Sequence, residues 1–150
     1  MPNRPIHIAV STPLGAGYAA YKAKNQNGLS GSLEIIGGAL GGFVGGVAPD
    51  CIDPPYCPSH RAVGHGSLPV AGVVNYWQRN LDAWQQNLRR MADQHRQHQA
   101  IATDPLAVAW HTIAEWALRL LPGILAGFGA GYLSHVVLDF GTPRCLPLIC

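Results

Sequence analysis

Residues 33–47, LEIIGGALGGFVGGV, decide the architecture. Gly37, Gly41 and Gly45 recur every four residues, and so do Gly38, Gly42 and Gly46, a period that lines them along one stripe of a helix. Each glycine costs an isolated helix about 1 kcal/mol relative to alanine. A helix this rich in glycine therefore needs neighbouring backbones packed close against it. Small-residue stripes at this period are typical of helix contacts inside membranes, and the middle helix of a tightly packed soluble bundle uses the same device. An apolar run of about fifteen to eighteen residues is short against the roughly 20 that cross a bilayer. The pattern thus predicts a buried central helix rather than a membrane span.

Helices extend on both sides of this stretch. Residues 5–22 read as a first helix, with Asn3 as a cap and Pro5 in the first turn. Pro13 is expected to kink or restart it. This segment loosely imitates a signal peptide, but His7 and Pro13 interrupt the apolar run, so it reads as part of the mature fold. KAKNQNGLSGS (22–32) and the proline-rich 48–60 read as loops. In 75–100, Trp77, Leu81, Trp84, Leu88 and Met91 form one narrow apolar seam. That seam predicts docking on the rest of the bundle, with a homo-oligomer through Trp77 and Trp84 as the alternative.

Thr103-Asp104-Pro105 is a helix start, a capping side chain followed by proline. Pro122-Gly123 is expected to end or kink that helix, and a last one, 124–140, stops at Gly141 and Pro143. No alternating strand pattern occurs. The expectation is an all-α fold: a compact bundle of five or six helices around a central Gly-rich helix, in a single domain over 1–150.

Composition narrows the function. Charged residues are only 12% and hydrophobic residues 48%, and the net charge of +2 gives no broad basic field. Nucleic acid is therefore not an expected partner. Cys51, Cys57, Cys145 and Cys150 contain no C-x-x-C pair, and with no secretion signal they read as reduced thiols. The expected location is the cytoplasm, including the inner face of the membrane.

Two stretches carry chemistry. PDCIDPPYCPSHRAVGH (49–65) places Asp50, Asp53, His60 and His65 close together in a proline-rich loop. GYLSHVVLDF (131–140) sets His135 and Asp139 on one helix face among apolar neighbours. Buried charge is costly unless it is paired or bound to a metal, and histidine with aspartate is the usual nitrogen and oxygen set for zinc, manganese or iron. His111, Glu115 and Arg119 form a second i, i+4 series, which reads mainly as a helical ion pair. His95 and His98 read as solvated.

The series GGALGGFVGGVAPDCIDPP, HRAVGHGS and GYLSHVVLDFGTP resembles the membrane-associated metal-dependent hydrolases of bacteria and their phages, a group described as LexA-binding, inner-membrane-associated hydrolases. The last helix is also similar to the HxxxD helix of zinc-dependent phospholipase C. The resemblance covers 5–21, 33–67 and 130–149, and departs from the family at Gly66, where serine is usual. It implies His7 as a further ligand beside Asp50, His60, His65, His135 and Asp139. Six mixed ligands exceed one tetrahedral zinc site, so one or two divalent ions are expected, most simply zinc, with manganese or iron as alternatives. Asp53 as general base and Arg61 against an anionic group would then serve hydrolysis of a phosphoester or other ester, including lipid head groups. The competing expectation is a non-catalytic membrane or assembly protein whose His/Asp cluster is a structural metal site.

Overall fold

The computed structural model describes residues 4–26, 28–52 and 67–140. Within them the chain forms α1 (Arg4–Lys22), α2 (Gly28–Ile52), α3 (Ser67–Ile101) and α4 (Pro105–Phe140). The fold is all-α, as expected, but these residues make four helices rather than five or six. Pro13 and Pro122 both lie inside continuous helices. At Pro122 the buried Gln85 side chain donates Nε2–H to the proline carbonyl at 2.8 Å, a cross-helix bond that anchors the chain where the proline interrupts the ladder.

Two other boundaries move. α2 starts at Gly28, whose φ of +54° is a left-handed turn that glycine adopts freely. It then runs through Pro49 to Ile52, 25 residues in all, which is long enough to cross a bilayer. The shorter sequence estimate missed this because it ended the helix before Pro49. Asp50 therefore sits in the last helical turn rather than in a loop. Asp104 caps α4 as expected, its Oδ2 accepting from Ala107 N–H at 3.1 Å.

Glycine sets how the helices meet. α1 runs antiparallel to α2, with Ala19 and Gly15 against Gly38, and Ser11 against Gly42 and Gly46. α4 runs parallel to α2: Gly37 meets Leu120, Gly41 meets Ile124 and Gly45 meets Phe128. A second stripe on α4, Gly123, Gly127 and Gly131, lies on the α2 backbone at Glu34, Gly38 and Gly42. α3 packs antiparallel to α4, with Trp77 on Phe128 (centroids 5.5 Å) and Trp84 edge-on to Trp77 (5.5 Å). Leu81 joins Ala19 and Ala126 in the small apolar core.

On α2 the distribution of side chains is the reverse of that on a helix facing water. The buried face of α2 is glycine with Gly31, Glu34, Val47 and Pro49, while Ile35, Ile36, Leu40, Phe43 and Val44 are exposed. Large apolar groups outside and small or polar ones inside are what lipid-facing helices require.

One buried ion pair ties three helices together. Glu34, wholly buried, accepts from Arg89 Nε at 2.8 Å and Nη2 at 2.6 Å, and Arg89 also donates to the Lys22 carbonyl at 3.2 Å. Nearby, Arg119 pairs with Glu115 (2.9 Å) and Asp93 (2.8 Å).

Gly41→Ala would press a methyl into the Ile124 carbonyl and within 2.8 Å of Phe128 N. The expected loss is about 1–3 kcal/mol of stability. Gly17→Ala, with nothing within 4 Å, should be neutral or stabilise by about 0.5–1 kcal/mol. Denaturation midpoints of the two variants in detergent check both. By the same measurement Glu34→Gln, which strands Arg89, should cost about 3–5 kcal/mol, and Glu34→Met with Arg89→Met should recover much of it.

Candidate metal centre

Three helices converge at the end of the bundle opposite the Glu34–Arg89 pair. Here the α1–α2 contact brings His7 level with Gly46, and α4 ends with His135 and Asp139. His7, His135 and Asp139 are all buried, and each offers a ligand atom within 4.8 Å of the others. His7 Nε2 lies 3.5 Å from Asp139 Oδ1, and His135 Nε2 lies 3.7 Å from Asp139 Oδ2. Asp50, from the last turn of α2, brings Oδ1 to 3.5 Å from His135 Nε2. The two imidazoles stack with centroids 3.8 Å apart and planes 17° apart.

The tautomer of His135 follows from its neighbour. Nδ1 is 2.6 Å from the Gly46 carbonyl, which can only accept, so Nδ1 carries the proton. Nε2 then faces the Asp50 and Asp139 carboxylates, the side of the ring on which a ligating histidine would meet an ion. A ligating histidine commonly donates its other N–H to a backbone carbonyl, which fixes the ring's orientation. The separations of 3.5–3.7 Å are longer than charged hydrogen bonds. They are close to the roughly 3.3 Å between two ligand atoms each about 2.0–2.1 Å from a tetrahedral ion.

The structure thus brings together four of the expected ligands, His7, Asp50, His135 and Asp139. His60, His65, Asp53 and Arg61 lie outside the described residues, as do Cys57, Cys145 and Cys150. Cys51 is an exposed free thiol beside the site. The i, i+4 series on α4 divides: Glu115 and Arg119 pair as expected, whereas His111 turns to α3.

Sequence reading missed Glu34 and Arg89, because their partnership crosses 55 residues of chain. The α4 stripe Gly123, Gly127 and Gly131 was visible at the same period of four as the α2 stripe.

A model of the YdjM inner membrane protein family matches residues 1–150. The chain belongs to that family. Neither a curated protein nor a solved structure matches it. The family assignment agrees with α2 (Gly28–Ile52) and α4 (Pro105–Asp139), both long and apolar enough to cross a membrane.

Proposed function

We propose that this chain is a helical inner-membrane protein whose His7–Asp50–His135–Asp139 cluster binds one or two divalent metal ions. The observation that supports metal most strongly is the convergence of buried His7, His135 and Asp139, whose ligand atoms lie within 4.8 Å of one another, with Asp50 Oδ1 3.5 Å from His135 Nε2.

The membrane part rests on where charge is absent. Residues 35–49 of α2 and 120–138 of α4 carry no Asp, Glu, Lys or Arg. They form an apolar slab with the His/Asp cluster at one end and the Glu34–Arg89 pair and the separate Arg119–Glu115–Asp93 pairs at the other. α4, at 36 residues, is about 54 Å long against a hydrocarbon core of about 30 Å. Its first turns, with His111, Glu115 and Arg119, therefore project beyond the slab. Trp110 and Trp116 are exposed there, where interfacial aromatic residues are favoured.

Asp139 presents one oxygen to each imidazole, so His7, Asp50, His135 and Asp139 are the residues that would hold one or two ions. Zinc fits mixed imidazole and carboxylate ligands, with manganese or iron as alternatives. In the favoured reading the ion is structural and joins α1, α2 and α4 at a point where buried charge would otherwise be unfavourable.

A second reading, metal-dependent hydrolysis of a phosphoester or other ester, is supported by access. The Asp50 side chain is 29% exposed while His135 and Asp139 are closed off, so the cluster can be reached from one end of the bundle. A bound divalent ion would there activate water and polarise an ester oxygen. Asp53 as base and Arg61 against an anionic substrate complete that reading.

After cell lysis the protein should sediment with membranes, resist alkaline carbonate and be released by detergent. Recovery in the soluble fraction without detergent would overturn the membrane reading. Protein purified without chelator should contain one or two equivalents of transition metal, lost in His135→Ala and Asp139→Ala. Chelation should lower the thermal midpoint of the wild type but not of these variants. A metal-free wild type with an unchanged midpoint would rule out the centre. Loss of phosphodiester hydrolysis in a still-folded Asp50→Asn variant would favour the catalytic reading over the structural one.

A further inference from the structure

Away from this centre, α3 and α4 form a hairpin that projects past the α1–α2 turn, and three histidines meet on it. His95 and His98 lie one turn apart on α3, and His111 faces them from α4. His95 Nδ1 and His111 Nδ1 are 2.9 Å apart, and the His111 ring centroid is 5.1 Å from His95 and 5.3 Å from His98. His98 is exposed and the other two are half-buried.

We propose that His95, His98 and His111 form a second, nitrogen-only site for a divalent transition metal, with Cu2+ as the preferred ion. Three imidazoles from two helices form a ligand set without carboxylate, which suits copper, nickel or zinc and not magnesium or calcium. The 2.9 Å between the two Nδ1 atoms matches the edge of about 2.9 Å for two nitrogens at right angles, each about 2.05 Å from the ion. Right-angled ligands belong to tetragonal Cu2+ or Ni2+ sites, and copper stands highest in the affinity order. His98, exposed and with its ring 5.3 Å from His111, is the third ligand, and the proposal requires it to turn toward the same point.

The hairpin does not need these imidazoles to stay closed. Gln99 Nε2 donates to Thr112 Oγ1 at 2.9 Å, and the Thr112 hydroxyl donates to the Val108 carbonyl at 2.7 Å. Those bonds hold α3 to α4 at this level, so an ion that replaced the hydrogen bond between His95 and His111 would not be needed to keep the hairpin closed. Exposure on one side leaves coordination positions for water or for exchange of the ion with a carrier.

The test is a Cu2+ titration of untagged protein in detergent, followed by calorimetry and by electron paramagnetic resonance. The expected result is one equivalent whose spectrum shows hyperfine coupling to more than one nitrogen. His111→Gln and His98→Gln should each weaken it by about tenfold or more, and His135→Gln should leave it intact, which separates this site from the buried centre. Helix content by circular dichroism checks folding. Because His98 is exposed, its variant decides the matter even where His111→Gln fails to fold. Affinity changed less than twofold in His98→Gln, a single-nitrogen spectrum, or loss of the signal in His135→Gln would overturn the proposal.

Discussion

Everything in this fold depends on how closely the α2 backbone approaches α1 and α4. Where glycine meets glycine, no side chain separates the helices, and the contact has one register. A slide by one residue would drive a Cβ-bearing position into a neighbouring carbonyl. That register places His7 beside Gly46, and through it beside His135, whose Nδ1 reaches the Gly46 carbonyl at 2.6 Å. A glycine is needed for the second contact as well, because a Cβ at position 46 would overlap the Ser11 side chain. The packing constraint and the His/Asp cluster are thus one feature.

Close backbone approach also explains the outward face. With glycine inside, the large apolar residues of α2 have no place in the core and are left outside, where water would penalise them and lipid does not. Lipid offers no hydrophobic drive for helix association, so the bundle depends on dispersion between backbones and on polar links at its ends. The Glu34–Arg89 pair supplies such a link at one end and the His/Asp cluster at the other. Both sit at the limits of the uncharged runs, where desolvation is least severe.

Much of this was legible in the sequence. The period-four glycines marked helix contact, Asp104-Pro105 marked the start of α4, and His135 with Asp139 marked a polar face in an apolar helix. Two kinds of feature were hidden. Proline was read as a terminator at 49 and 122, although the helix continues through both; that shortened α2 below the length of a span and split α4 in two. Contacts between distant segments, such as Arg89 with Glu34 or His111 with His95, leave no local pattern, because each residue alone looks like a solvated charge or ring. His95 and His98 were read as solvated for that reason. Only the pairing of α3 with α4 reveals that their face of the helix is shared.

The two histidine clusters differ in a way that bears on what each can hold. At the buried end, imidazoles and carboxylates mix, and the carboxylates offset the charge of an ion where water is scarce. That environment would favour a harder or borderline ion bound with the fold, because the ion's charge would offset that of the buried Asp139 carboxylate. At the projecting end the ligands are neutral nitrogen alone, and water can compensate the ion's charge. Such a site favours the ion that gains most from imidazole, and it can exchange that ion without disturbing the bundle. On the proposals above, the same residue type, set by glycine packing at one end and by a helical hairpin at the other, would hold a fixed ion in one place and an exchangeable ion in the other.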